Sequence, residues 1–129
     1  MTEAGAMTWT PEQLTALGDA DEVEITSRRE DGTLRPFVTI WAVRAGDDII
    51  VRSAYGTANG WYKRAVASGT GAIRAGGVEA DVAFEPVTDR HDEIDAAYHA
   101  KYDKYGSRTV NPVVSAESHA ATLRLVPVA

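Results

Sequence analysis

Apolar residues recur at two spacings along this chain, and the change from one spacing to the other predicts its elements. The first element is announced by its cap. In WTPEQLTALG, Thr10 is the expected N-cap, Pro11 takes the first helical position and Gln13 stands three residues after the cap. This is a capping-box pattern, with Trp9 placed to pack on Leu14 and Gly18 placed to close a short helix. The run EVEITSRREDGTLRPFVTIWAVRAGDDIIVRS then alternates with a period of two. Asp31-Gly32 and the AGDD stretch read as turns between strands. LRPFVTIWAVR has apolar residues on both faces (Phe37 and Trp41 against Val38, Ile40 and Ala42), so it reads as one central strand.

The period lengthens again at WYKRAVAS, a short helix ended by Gly69. GAIRAGGVEADVAFEPV returns to alternation as a hairpin with Gly76-Gly77 at its turn. Val78, Ala80, Val82 and Phe84 fall on one face of its second strand, opposite Glu79, Asp81 and Glu85. TDRHDEIDAAYHAKYDKYG is the strongest helical pattern. Thr88 or Asp89 is its expected cap, acids crowd its first turn, and Ile94, Ala97, Tyr98, Lys101, Tyr102 and Tyr105 form one stripe before Gly106. ATLRLVPV reads as a last strand. The predicted order α-βββ-α-ββ-α-β, with short turns and no βαβ rhythm, points to an antiparallel sheet or small barrel with helices outside.

Length and composition narrow the function classes. The 129 residues suit one domain with one core, expected over 9–129 behind a flexible tail at 1–8. The chain has no apolar run long enough to span a bilayer, and its start lacks the basic and apolar regions of a secretory signal. No membrane partner is expected. The absence of cysteine removes disulfides, thiolate nucleophiles and zinc-thiolate sites, and fits a cytoplasmic protein. A net charge of -6 argues against nucleic acid as a partner.

Known chemical motifs are missing. GTANGWYK lacks P-loop spacing, and GTGAIRAGG opens a strand rather than a dinucleotide-binding helix. His91, His99 and His119 have no zinc spacing, so no metal is expected; His91 and His99 read as surface residues near Asp95 and Asp103. No residue stands out as a catalytic acid or base. What remains is charge. Ile49 to Val78 carries Arg52, Lys63, Arg64 and Arg74 and no carboxylate, in an acidic protein. Lys63 and Arg64 fall at a glycine-led helix start, where free backbone N–H groups favour an anion. Arg28, Arg29 and Arg35 flank the first predicted turn, and Arg52-Ser53 end the third strand. Tyr55, Trp61 and Tyr62 add flat apolar surface beside this charge. The alternative is ordinary: solvated strand ends, a surface helix start, and aromatic residues in the core.

The order TSRREDGTLRP…WAVRAGDDIIVRSAYGTANGWYKRAVASG resembles the flavin- and deazaflavin-binding split-barrel superfamily, which includes the pyridoxamine-phosphate-oxidase-like and deazaflavin-dependent nitroreductase branches. It is similar, more closely, to a small family of unassigned activity within it, for which AAYHAKY also looks typical. The likeness covers Ile25 to Val87. Ser27, Arg28, Arg29, Gly32 and Arg35 fall on the superfamily's first turn, Arg52, Ser53 and Gly56 on its second loop, and Trp61-Tyr62 on its aromatic pair. Two departures stand out: Glu30-Asp31 add acid to the first turn, and Lys63-Arg64-Ala65 replace an Asn-Leu.

The resemblance implies an α+β fold, an antiparallel split β-barrel of about six strands with peripheral helices, usually a homodimer with cofactor at the seam. FMN or a deazaflavin coenzyme is the implied cofactor. Arg28, Arg29, Arg35, Arg52, Ser53, Lys63 and Arg64 are the candidate phosphate contacts, and Tyr55 and Trp61 would flank the ring. The implied function is a flavin-type oxidoreductase acting on a small molecule. The alternative is a split-barrel dimer without cofactor, or a small-molecule binding module.

Overall fold

The computed structural model describes residues 8–128. Most of the expected tail, residues 1–7, lies outside that range. Helix α1 (Pro11–Asp19) begins as its sequence requires: the Gln13 amide donates to Thr10 Oγ1 at 3.1 Å, and the Thr10 amide donates to Gln13 Oε1 at 2.9 Å. Trp9 is buried with Leu14 in the same cluster, and its indole N–H donates to the Leu125 carbonyl at 3.0 Å. Gly18 does not end the helix. It lies inside it, where a Cβ would meet Arg44 Cβ at 3.0 Å, so this glycine serves close packing.

Seven strands follow: β1 (Val23–Ser27), β2 (Val38–Ile40), β3 (Ala42–Ala45), β4 (Asp48–Arg52), β5 (Thr70–Ala75), β6 (Val78–Pro86) and β7 (Thr122–Pro127). All pair antiparallel, in the order β2-β1-β5-β6-β7-β4-β3. The fold is an α+β split barrel, with one strand more than expected because the predicted central strand LRPFVTIWAVR is two edge strands. Val38–Ile40 pair with β1, Ala42–Ala45 pair with β4, and Trp41 between them belongs to neither. The hydrogen-bond ladder is open between β2 and β3, and at that seam only the chain itself joins the two edges. Ala42 and Val43 are both buried, Ala42 among the barrel's interior residues and Val43 outside, against α3 (His91–Tyr102).

The core therefore has two parts. Leu17, Ile25, Ile49, Val51, Ile73 and Leu123 fill the barrel. Val43, Ile50, Ile94, Tyr98 and Tyr102 fill the space between β3, β4 and α3. Removing each such aliphatic side chain from water contributes roughly 2 kcal/mol. The α3 stripe behaves as predicted for Ile94, Tyr98 and Tyr102, whereas Tyr105 lies past the helix end and is exposed. The α3 cap is neither Thr88 nor Asp89 but Arg90, at φ 62°, whose guanidinium binds Glu93, Asp48 and the Ala45 carbonyl. Ion pairing, rather than a side-chain cap, fixes this helix start.

Helix α2 (Gly60–Ser68) ends at a left-handed Gly69, as its sequence predicts. The Gly76-Gly77 hairpin is also as expected, both at positive φ. Between α3 and β7 the chain forms two four-residue helices, α4 (Ser107–Val110) and α5 (Ala116–His119), joined by a 3-10 turn. No helical pattern in the sequence announces them.

Candidate functional site

The open seam of the barrel is flanked by a cavity of about 320 Å³. Val38, Ile40 and Trp41 form its seam side, Ala54, Tyr55, Asn59 and Trp61 its second side, and Thr109 and Val113 of the α4 region its cover. A volume of this order is within the range of small-molecule sites, and most of this lining is apolar or aromatic. Trp41 is held in place by stacking on Tyr102, with ring centres 3.9 Å apart and planes within 4°. Tyr102 is in turn fixed by its hydroxyl, which donates to the Asp21 carbonyl at 2.7 Å and accepts from the Ala42 amide at 3.2 Å.

Trp61 also borders a second, tighter crevice. It is lined by Thr26, Ser27, Arg35, Arg64 and Phe84 among others, and with about 10 Å³ inside it has room for one water-sized group. Beside it β5 packs tightly on β1: a Cβ on Gly71 would lie 1.9 Å from the Thr26 carbonyl oxygen, so only glycine fits. Arg35 is fixed by its backbone. Its amide donates to the Ser27 carbonyl at 3.0 Å, and its carbonyl accepts from Thr26 Oγ1 at 2.6 Å. Its Nε is buried without a hydrogen-bond partner. Arg64 folds back over the start of α2, with Nη1 2.9 Å from where a Cβ of Gly60 would be. Among the described residues neither Arg35, Arg64 nor Lys63 forms an ion pair.

The predicted cofactor contacts thus divide. Arg35, Trp61 and Arg64 meet at one crevice. Arg29 lies on the exposed turn and donates to Thr33 Oγ1 and the Leu34 carbonyl. Arg28 is 3.0 Å from Asp81 and also bonds the Gly32 carbonyl. Asp31 accepts from the Thr33 amide and hydroxyl and so shapes the turn, which holds its carboxyl below the usual range. Lys63 is exposed on α2 and lines neither cavity. Tyr55 is 78% exposed on the rim of the larger cavity.

Arg52 and Ser53 are placed differently from the other candidates. The Arg52 side chain is fully buried and commits four of its five N–H groups to the protein: to Thr122 Oγ1, to Asp95, to the Val113 carbonyl and to His91. It borders the larger cavity as a neutralised group. Ser53 is wholly buried, its Oγ without a partner and its amide donating to the Ala121 carbonyl. The physical reason is that β4 ends beneath α3 and α5, not at the surface. Arg74, in the same carboxylate-free run, pairs with Glu24 and lies over Phe37.

Val38, Trp41, Thr109 and Val113 were not among the predicted site residues. Trp41 keeps the alternation of its run and so gave no signal, and Thr109 and Val113 carried none. His99 sits on the surface against Asp103, as expected, but His91 does not pair with Asp95 directly: it stacks on His119, and His119 binds Asp95. Among the described residues no His, Asp and Glu side chains form a metal-holding group, and no helix is long and apolar enough to cross a membrane.

This architecture is that of a split β-barrel. Solved structures with the same fold include a conserved hypothetical protein, Rv2991, from Mycobacterium tuberculosis (TM-score 0.63, 11% identity, covering 98% of this chain and 86% of that one). A FAD-binding protein from Mesorhizobium loti aligns with TM-score 0.53 at 13% identity over 93% of this chain and 91% of that one. An F420 reductase aligns with TM-score 0.50 at 16% identity over 93% and 97%. At these identities the likeness establishes the fold. No curated protein matches the chain significantly. Residues 13–125 match the family described as "Uncharacterized protein conserved in bacteria (DUF2255)", and the chain belongs to that family.

Proposed function

We propose that this chain binds a flavin-type nucleotide, FMN or a deazaflavin coenzyme, and acts as an oxidoreductase on a small molecule. The observation that carries the reading is the junction at Trp61. On one side two unpaired guanidiniums, Arg35 with its orphaned Nε and Arg64 over a helix start, offer charge-assisted donors to a phosphate at the mouth of their crevice. On the other side an apolar, aromatic-walled cavity of about 320 Å³ offers room for a flat ring. The ring would supply the hydride chemistry. The chain's own residues would bind, orient and exclude water, which agrees with the lack of an acid–base constellation in the cavity. The names of the F420 reductase and the FAD-binding neighbour add support by fold analogy only.

In this reading the protein works in the cytoplasm as a homodimer, a second copy covering the seam beside Tyr55. Light scattering would give twice the chain mass; a monomer at micromolar concentration removes the dimer from the proposal. The test of the cofactor is spectroscopic. Purified protein titrated with FMN, and separately with a deazaflavin coenzyme, should give a saturable change in ring absorbance and a raised melting temperature with one of them. No response to either leaves a cofactor-free binding module, a second reading favoured by how little space lies between Arg35 and Arg64.

A further inference from the structure

The proposed cofactor site leaves one group of polar side chains unused, the cluster of buried Arg52 with half-buried His91, Asp95 and His119. It joins the end of β4 to α3 and α5. Arg52 Nη1 lies 2.5 Å from Asp95 Oδ1 and 2.9 Å from the Val113 carbonyl oxygen, and its Nη2 lies 3.2 Å from His91 Nδ1. His119 Nε2 lies 3.0 and 3.1 Å from the two Asp95 oxygens. The two imidazoles stack face to face, 4.4 Å apart and parallel within 1°.

These partners fix where the protons are. A guanidinium has donors only, so His91 Nδ1 must accept, and neutral His91 carries its proton on Nε2. A carboxylate only accepts, so His119 Nε2 must carry a proton. A proton added to His91 can go only to Nδ1, where Arg52 already directs an N–H. Acceptor then becomes donor, and a further positive charge joins Arg52 beside the single carboxylate of Asp95.

The surroundings oppose that charge. Burial first, then His119 and Arg52, hold His91 below its usual range, while Asp95 and Asp89 act the other way. His91 is also the first residue of α3, at the positive end of the helix. The cluster bears on the site because Arg52 holds the Val113 carbonyl, and Val113 and Thr109 line the larger cavity.

We propose that His91 is a proton-sensitive positioning residue: neutral, it lets Arg52 hold the segment 107–121 over the seam cavity, and protonated, it releases that segment. The direction follows from the geometry. The folded state binds this proton less readily than the unfolded chain, so the anchoring is complete above about pH 6.5 and weakens as pH falls below it. The device does not depend on what the cavity binds.

Hydrogen exchange of the whole chain, corrected for intrinsic rates, tests it at pH 7.5 and 5.5. The expected result is a fall of severalfold, up to about tenfold, in amide protection across 107–121 at the lower pH, with β5 and β6 unchanged. In His91→Gln, whose amide oxygen accepts from Arg52 and does not titrate, protection should be the same at both values. Wild-type protection that does not change, or a His91→Gln variant that loses protection to the same extent, overturns the proposal. Nitrogen NMR of wild-type His91 gives an independent test: a proton on Nε2 at pH 7.5 is expected, and a proton on Nδ1 overturns it even if the variant fails to fold.

Discussion

Arg52 and Arg35 look alike in sequence, each a cation near one end of a predicted strand, yet the fold uses them in opposite ways. Arg52 is enclosed by four partners from β7, α3 and the turn before α5. Arg35 is held by its backbone alone, with a buried nitrogen left unmatched. A buried, paired guanidinium cannot be removed without stranding its partners; an unmatched one can, because nothing depends on it. The difference separates cations that hold the fold from cations free to hold a ligand.

The largest expected effect follows from removing the first kind. Arg52→Met leaves Asp95 without its main counter-charge and the Val113 carbonyl without its donor, and should lower stability by about 3 kcal/mol in urea unfolding. If instead stability holds and only ligand affinity drops, Arg52 belongs with the binding group. The converse is expected of Arg35→Ala combined with Arg64→Ala. Each charge-assisted hydrogen bond to phosphate is worth about 1.5 kcal/mol or more, so cofactor affinity measured by titration should fall roughly 100-fold with stability changed by less than about 1 kcal/mol. Unchanged affinity would move the phosphate elsewhere. A smaller loss, roughly tenfold, is expected of Trp61→Ala, which borders both the crevice and the cavity and offers one ring face.

Sequence alone could not make this division, and the reason is distance along the chain. The features it did reveal are local: the Thr10–Gln13 capping box, the left-handed Gly69, the Gly76-Gly77 hairpin and the Ile94–Tyr98–Tyr102 stripe each depend on residues within one or two turns. The fate of a cation depends on its counter-charge, and Asp95 stands 43 residues from Arg52 and Asp81 stands 53 from Arg28. The break at Trp41 was hidden for the same cause, since β2 and β3 differ only in which remote strand they pair with. Helices α4 and α5 are too short for a helical period to show, so Thr109 and Val113 could not be foreseen as cavity residues. The resemblance to split barrels supplied the closure that local patterns could not.

Lys101 lies between the two kinds and gives the finest test of the comparison. It is half-buried on α3, forms no ion pair among the described residues, donates to the Ala42 carbonyl at 2.6 Å and lies 5.0 Å over the Tyr102 ring. Burial lowers its pKa to about 8, against the opposing pull of Asp21 and Asp19. The unfolded chain therefore binds this proton more readily between about pH 8 and 10.4, and folding stability gains as pH rises through that window. Lys101→Met should remove the gain and raise stability near pH 7 relative to wild type, because there the wild-type fold holds an ammonium that is costly to bury. The measurement is the difference in urea midpoint between wild type and variant, taken from pH 7 to 10. If that difference does not change with pH, the ammonium is as well solvated as an exposed one. Lys101 would then join Lys63 among the surface cations, outside the division that Arg52 and Arg35 define.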